Sequence, residues 1–231
     1  MNTDGHRCRR GFAGDRVVAA VRTTERRSLA RVVLFAALAA GAMLAGAGWG
    51  ESWEAIREAA ASVRTVRASF VQEKRLPILT RPLRSEGTFA FRRPGSIRWE
   101  YRMPVESVLL TDGGDVRRYT KRDGEWAAEA GAGMEAMRVV LDEVAAWMSG
   151  RFDESAAFAA TLSPGTPTTI ELTPREEAIG RFVTRILVTL AETPGAVASI
   201  EIFEGAEAST RIEFQGMELN VELGDALFTA P

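Results

Sequence analysis

The feature that most constrains this fold is a two-residue alternation of apolar and polar side chains, which recurs over most of the chain. In Ile97, Trp99 and Tyr101, for example, each large apolar residue is followed by a polar or charged one. This period places successive side chains on opposite faces of a strand and is typical of antiparallel sheets with one buried face. Turn residues such as Pro94 and Gly95 separate the runs. The pattern therefore predicts about ten short strands in hairpin order.

The alternation continues to the C-terminal part of the chain. Leu219, Val221 and Leu223 indicate a last strand or its approach. Consecutive hairpins of this number predict one large, strongly curved antiparallel sheet with an apolar face that needs a cover.

Two segments have helical spacing instead and are the available covers. The first follows Ser52, which we predict to be its N-cap, and has one apolar face: Trp53, Ile56, Ala60 and Val63. The second lies in the middle of the chain and should end before Gly150 at the C′ position, and it has another apolar face: Met137, Leu141, Val144 and Met148. Apolar residues three and four apart form one stripe on a helix. A curved sheet covered by two such helices predicts an apolar ligand cavity between them.

The N-terminal segment, residues 1–47, differs from the rest and predicts export. Arg26, Arg27 and Arg31 precede the small and apolar run Val32–Ala47. A basic region, an apolar run and a small-residue exit, here Ala45-Gly46-Ala47, are the parts of a secretory signal. The alternative is an uncleaved anchor, but the 16 residues of the run are fewer than the roughly 20 that cross a bilayer.

Cleavage after Ala47 predicts a periplasmic protein with a single domain, residues 48–231. Residues 1–25 belong to the removed part, either as an overlong gene start or as a long basic region, and we exclude them from the fold. The remaining domain has 21 basic and 28 acidic residues, a net charge of −7. This balance argues against nucleic-acid binding, which needs a basic surface to neutralise phosphates.

Residues 48–231 contain no cysteine and no histidine, since Cys8 and His6 are the only ones in the chain. Without thiol or imidazole, the domain lacks the usual zinc ligands and the usual Ser-His or Cys-His nucleophile pairs. Carboxylates alone can catalyse reactions such as glycoside hydrolysis, but no acid–base pair is recognisable. We therefore predict a binding protein without cofactor, metal site or enzymatic activity.

Several short motifs, in order and over nearly the whole domain, resemble the LolA family of periplasmic lipoprotein carriers. They are Ala68 to Gln72, Gly87-Thr88-Phe89, Arg92 to Trp99, Pro104, Leu110 to Gly113, Tyr119, Ile212-Glu213-Phe214, Asn220 and Phe228 to Pro231. The resemblance implies an incomplete β-barrel lidded by helices, with acyl chains of a lipoprotein held inside. It also implies a monomer that moves its cargo from an inner-membrane exporter to an outer-membrane acceptor.

In such carriers an arginine directly before the motif proline hydrogen-bonds the backbone of the lid when the pocket is empty. The matching residue is Arg93. The alternative is that Arg93 is an ordinary surface arginine beside a turn. The residues predicted to line the cavity or lid are Phe70, Phe89, Phe91, Ile97, Trp99, Tyr101, Leu110, Met137, Leu141 and Val144. For the aromatic residues among them, plain core packing is the alternative.

Two departures from the family pattern leave the cargo open. The stretch Leu76 to Leu83 lies between the first two predicted strands, and the chain ends at Pro231 without the short tail of family carriers. A related carrier of glycolipid, pigment or fatty-acyl material is therefore an alternative. An interaction module that senses lipidated partners is the alternative of a different class.

Overall fold

One antiparallel sheet accounts for most of the described part of the chain. The computed structural model describes residues 48–112, 114–129, 133–205 and 207–231. The predicted export segment, residues 1–47, lies outside them. The sheet has eleven strands within these ranges: β1 (Thr65–Arg75), β2 (Leu83–Arg92), β3 (Ser96–Met103), β4 (Ser107–Asp112), β5 (Asp115–Arg122), β6 (Glu125–Glu129), β7 (Phe158–Ser163), β8 (Thr169–Pro174), β9 (Arg185–Leu190), β10 (Val197–Glu204) and β11 (Ala208–Leu219).

The strand order is β6-β5-β4-β3-β2-β1-β11-β10-β9-β8-β7. Every neighbouring pair is antiparallel, and every pair except β1 and β11 joins strands that follow each other in the sequence. The predicted order of consecutive hairpins is therefore confirmed. β6 and β7 form the two edges of the sheet, which stays open as in an incomplete barrel.

Asn220 ends the last strand, so the prediction of strand structure at Val221 and Leu223 is wrong. Its φ of 59° is in the left-handed region, which an L-residue visits singly and which breaks the extended conformation. The side-chain oxygen of Asn220 accepts from Arg64 N at 2.7 Å, and its amide donates to Ser62 O at 3.1 Å. Since these bonds turn the chain away, β11 stops at Leu219.

The described ranges also contain three α-helices and two short 3₁₀ turns. The helices are α1 (Trp53–Ala61), α2 (Gly133–Met148) and α3 (Glu177–Gly180), and the turns are Phe152–Glu154 and Asp225–Phe228. In the described part of the chain, no helix has the length and apolar character that crossing a membrane requires.

The register of the strands separates the sheet into two faces. Directly opposed residues in neighbouring antiparallel strands point to the same side. Phe89 opposes both Ala68 and Trp99, which places all three on one face, here called the inner face. Together with residues of α1 and α2, this face forms the main apolar core. Its largest fully buried side chains are Phe70, Phe89, Phe91, Phe152, Ile56, Ile97, Leu141, Ile170 and Leu172.

Helix α1 begins where the sequence predicted. The Ser52 hydroxyl oxygen accepts a hydrogen bond from Ala55 N at 3.1 Å, so Ser52 is the N-cap. Ile56 and Ala60 on the apolar face are buried. The Arg57 guanidinium donates to both carboxylate oxygens of Asp153, at 2.8 and 3.0 Å, and thereby ties α1 to the first 3₁₀ turn.

Helix α2 ends before Gly150, as predicted. Gly150 has a φ of +75° and donates to Trp147 O at 2.9 Å, while Arg151 N donates to Ala146 O at 2.9 Å. These two bonds form a Schellman motif. A Cβ at position 150 would lie 3.0 Å from Ala60 Cβ. The end of α2 therefore packs closely against α1.

Helix α1 covers the end of the sheet at which β1 begins. We call this end, formed by α1 and the turns at residues 93–95 and 191–196, the closed end. The opposite end is formed by the β1–β2 loop at residues 76–82, the turn at 104–106 and the loop at 175–184. We call it the tip end.

The outer face of the sheet binds the last residues of the chain, which we call the C-terminal clasp (residues 225–230). Arg98 donates to Ala230 O at 2.8 Å, and Arg117 donates to Phe228 O at 3.1 Å. The Arg92 guanidinium lies 4.6 Å above the centre of the Phe228 ring, which is fully buried. The clasp therefore covers β2, β3 and β4 on the side away from α1 and α2.

Candidate functional site

Aromatic side chains from β1, β2, β3 and β11 form a wall on the inner face. The ring of Phe70 lies 5.3 Å from Trp99 and 5.2 Å from Tyr101, measured between centroids. Phe89 lies 5.2 Å from Trp99 and 5.6 Å from Phe214. All four pairs are tilted or edge-to-face, and aromatic rings prefer such arrangements to a face-to-face sandwich. The structure thus brings together four of the predicted lining residues.

Phe214 belongs to this wall, although our list of lining residues omitted it. It opposes Phe70 directly in the β1–β11 pair. The sequence signal was present, since Phe214 and Ile212 alternate like the other inner-face residues. What the sequence does not show is that the last strand lies beside the first.

Phe91 and Ile97 form the row of the wall nearest to α1. They oppose each other in the β2–β3 pair, and neither is exposed to solvent. Val66 of β1 opposes Phe91 from the other side and is also buried. This row supports the closed end of the core.

Helix α2 presents its predicted face to the core only in part. Leu141 and Val144 are buried in the main cluster, while Met137 is half-buried. Trp147, which our list omitted, is buried and stacks on Phe152 at 6.3 Å with an angle of 11° between the rings. Its indole N–H has no acceptor among the described residues.

Leu110 lies on the opposite face from the other predicted lining residues. It opposes Arg98 and Arg117 across the ladders, whereas its neighbour Leu109 opposes Trp99 on the inner face. Leu110 is fully buried, but it is absent from the main cluster. The clasp contacts β4 from the outer side and accounts for this burial. We therefore remove Leu110 from the candidate site.

Arg93 connects the β2–β3 turn to the end of α1. Its Nε donates to Val63 O and its Nη2 donates to Ala60 O, both at 2.7 Å. Its backbone N donates to Arg64 O at 2.9 Å. The last carbonyls of a helix have no intrahelical partner and form the negative end of its dipole. The guanidinium thus adds a second hydrogen bond at Ala60 O, which also accepts from Val63 N at 2.9 Å, and is placed where a positive charge is favourable.

Tyr101 forms the polar margin of the aromatic wall. Its hydroxyl donates to Gln72 Oε1 at 2.8 Å. Burial raises the pKa of Tyr101, against the opposing effects of the Trp99 indole, the Arg118 charge and Gln72. Tyr101 therefore stays neutral at physiological pH and acts here as a hydrogen-bond donor, not as an anion.

The aromatic wall and residues of α1 and α2 belong to one buried cluster, and the apolar cavity expected between them stays a prediction. A groove of about 460 Å³ lies on the outer face instead, and its lining is mostly charged: Val71, Glu73, Arg75, Arg84, Glu201, Arg211, Glu213 and Gln215. Among the described residues, no group of three His, Cys, Asp or Glu side chains is arranged to hold a metal ion.

A family model described as outer membrane lipoprotein carrier protein LolA matches residues 61–231. The chain belongs to the LolA family. An outer-membrane lipoprotein carrier protein of Methylibium petroleiphilum is 34% identical over 76 residues, 33% of this chain and 37% of the relative. The protein of the same name from Bordetella pertussis is 35% identical over 95 residues, 41% of this chain and 44% of the relative. The chain thus matches less than half the length of either relative.

Solved structures show a distant likeness. A LolA superfamily protein from Nitrosomonas europaea has a TM-score of 0.39 at 9% identity, with 78% of this chain and 98% of that chain covered. The lipoprotein LppX of Mycobacterium tuberculosis has a TM-score of 0.40 at 11% identity, with 73% and 93% covered.

Proposed function

We propose that residues 48–231 form a periplasmic carrier that binds the acyl chains of lipoproteins on the inner face, beneath α1 and α2. It takes its cargo as a monomer from an inner-membrane exporter and delivers it to an outer-membrane acceptor. Membership of the LolA family and the names of the curated relatives support this role. The sequence pattern of residues 1–47, which predicts export, supports the periplasmic location.

The proposed binding surface consists of the aromatic wall and the buried face of α2. Burying an acyl chain there is favourable by about 0.8 kcal/mol per methylene, so binding needs neither a charged group nor a catalytic one. The lining residues are Phe70, Phe89, Phe91, Ile97, Trp99, Tyr101 and Phe214 from the sheet, with Met137, Leu141, Val144 and Trp147 from α2. An ester or amide carbonyl of the cargo supplies the acceptor that the Trp147 indole lacks.

The pair of hydrogen bonds from Arg93 to the end of α1 is the observation on which this proposal rests. Because residues of α1 and α2 pack with the aromatic wall in one buried cluster, an acyl chain enters when the helices move away from the sheet. The bonds to Ala60 O and Val63 O favour the closed, empty state. A favoured closed state lowers the net affinity for cargo, which helps a carrier to release what it transports.

Replacement of Arg93 tests the latch. A hydrogen bond from a charged donor contributes about 1.5–3 kcal/mol, and 1.4 kcal/mol corresponds to a factor of about ten. Since Arg93→Leu removes two such bonds, we expect it to load cargo normally and to release it at least about tenfold more slowly. Release to acceptor vesicles is measured with a fluorescent acyl probe. Arg93→Lys, which keeps the charge but loses the planar fork, should give an intermediate rate.

Arg67→Leu is the matched control. Arg67 is a half-exposed arginine on the outer face, paired with Glu218, and its loss removes the same charge without touching α1. A release rate of Arg93→Leu equal to that of Arg67→Leu would contradict the latch.

A separate experiment determines the nature of the cargo: native mass spectrometry of the protein purified from periplasm. A one-to-one adduct with an acylated protein supports the lipoprotein carrier. A small glycolipid, pigment or fatty-acyl adduct assigns the chain to a related carrier instead. An unliganded mass, together with no uptake of the acyl probe, would contradict any carrier role.

A further inference from the structure

The exposed large apolar side chains are concentrated at the tip end of the sheet. Eight such side chains are exposed among the described residues. Two lie on α2, Val139 and Val140. The other six lie at the tip end: Ile78, Leu79, Leu83, Met103, Val105 and Phe182. Exposed apolar side chains that are grouped in one region of a protein often mark the binding site of a partner with matching chemistry.

The most exposed part of this end is the β1–β2 hairpin, residues 74–84, which we call the hairpin tip. Ile78 is 88% exposed, and every residue from Pro77 to Arg84 is exposed. A consecutive exposed stretch that includes isoleucine and leucines is unusual for a surface that contacts only water. Its apolar apex is therefore a surface of the kind that marks interaction sites.

The hairpin tip is also basic. It contains Lys74, Arg75, Arg81 and Arg84 and no acidic residue. Lys74 and Arg84 form ion pairs with glutamates outside the tip. Arg75 and Arg81 are exposed and form no ion pair with any described residue. Two unpaired cations thus flank the apolar apex, on a domain whose net charge is −7.

The backbone holds this apex in place. β1 and β2 stay paired up to Lys74 and Leu83, and Leu79 N donates to Leu76 O at 3.0 Å within the loop. The neighbouring strand β3 ends opposite Glu86 of β2, which is three residues short of Leu83. The tip therefore projects about 10 Å beyond the end of β3. These hydrogen bonds restrain the loop before binding, which lowers the conformational entropy lost when it binds.

We propose that the hairpin tip docks the protein on a bilayer that contains anionic phospholipids. Ile78 and Leu79 enter the interfacial region, and Arg75 and Arg81 contact lipid phosphates. The small size of the apex favours a membrane over a protein partner, since stable protein interfaces bury about 1,200–2,000 Å². Membrane binding requires only a few inserted apolar residues supported by cations. Repulsion of the acidic body from the same surface orients the molecule with its tip toward the lipid.

Vesicle flotation tests this inference independently of any carried lipid. The full-length gene product is expressed, purified from periplasm and mixed with vesicles of phosphatidylcholine alone or with about 30 mol% phosphatidylglycerol. Each cation near an anionic surface strengthens binding roughly fivefold. With two such cations, we expect at least about tenfold more protein bound to the anionic vesicles than to those of phosphatidylcholine alone. Ile78→Ser/Leu79→Ser should lose most of this binding, as should Arg75→Gln/Arg81→Gln.

Val139→Ser/Val140→Ser is the matched control, because it removes two apolar side chains that are also exposed but lie on α2. It should bind vesicles as the unaltered protein does. Circular dichroism melting of all variants shows that a loss of binding is not a loss of folding.

A site-specific label locates the contact. Since residues 48–231 contain no cysteine, Ile78→Cys in a Cys8→Ser background takes a single environment-sensitive fluorophore. Its emission should shift to shorter wavelength on anionic vesicles, while a label at Val139→Cys should not respond. Equal binding to both vesicle types, or binding unchanged by the apex variant, would overturn the proposal. So would capture by an envelope protein without any binding to protein-free vesicles, which would assign the tip to a protein partner.

Discussion

The two ends of the sheet differ in whether their apolar side chains are buried and whether their polar groups have partners. At the closed end, α1 covers the apolar core, and the side chains of Arg93 and Asn220 hydrogen-bond backbone groups between the end of α1 and the start of β1. At the tip end, apolar side chains are exposed, and Arg75 and Arg81 have no carboxylate partner among the described residues. Burial and hydrogen bonding stabilise the closed end, whereas the side chains at the tip end stay accessible to a partner outside the chain. Substitutions at the closed end should therefore affect stability, and those at the tip end should affect binding.

The largest expected contrast is between two glycines in the same backbone conformation. Gly150 at the closed end has a φ of +75° and its missing Cβ would meet Ala60. Gly124 in the β5–β6 turn at the tip end has a φ of +87° and open space around it. We expect Gly150→Ala to lower the free energy of unfolding by about 3 kcal/mol, since it adds overpacking to backbone strain. Gly124→Ala should cost about 1 kcal/mol. Urea unfolding of both variants measures the difference, and equal losses would contradict the comparison.

A smaller effect is expected at Asn220. Asn220→Ala removes the side-chain bonds to Arg64 N and Ser62 O and leaves a left-handed residue without its favourable side chain. The free energy of unfolding should fall by about 2 kcal/mol. Hydrogen exchange provides a second measurement, because the amide of Arg64 should lose protection. Full protection of that amide in Asn220→Ala would show that the asparagine does not secure the closed end.

The smallest effect should come from the apex of the hairpin tip. Ile78→Ser/Leu79→Ser should change the free energy of unfolding by less than about 0.5 kcal/mol, as is usual for exposed positions without partners. The same urea titration measures it beside Gly150→Ala. A loss of several kcal/mol would mean that the tip stabilises the fold itself, and the distinction between the two ends would fail.

The sequence was sufficient to predict the features that depend on interactions between nearby residues. The two-residue period located the strands, and Ser52 and Gly150 marked helix boundaries that the structure confirms. Arg93 was selected by resemblance, and its contacts with the end of α1 are what that resemblance implied. Its action as a latch stays a proposal.

Features that depend on distant residues were harder to predict. In β4 the run Val108-Leu109-Leu110 is apolar on both faces, so the period alone could not assign Leu110 to the inner or the outer face. The outer face becomes buried only because the C-terminal clasp lies across it. The strand predicted at Val221 and Leu223 failed for a similar reason, since Asn220 turns the chain through bonds to residues 156 and 158 positions away.

The pairing of β1 with β11 has a consequence for how the chain reaches its folded state. Strands β1–β6 and β7–β11 each form through neighbouring hairpins, which are short-range contacts and assemble quickly. The β1–β11 seam joins residues that are far apart in the sequence, such as Phe70 and Phe214. Closing the long loop between them costs entropy before any contact is gained. We therefore expect the seam to form last in folding. Until it forms, β1 and β11 are unpaired edges and can pair with other chains. Aggregation of the newly made protein should accordingly depend on how fast this single seam closes.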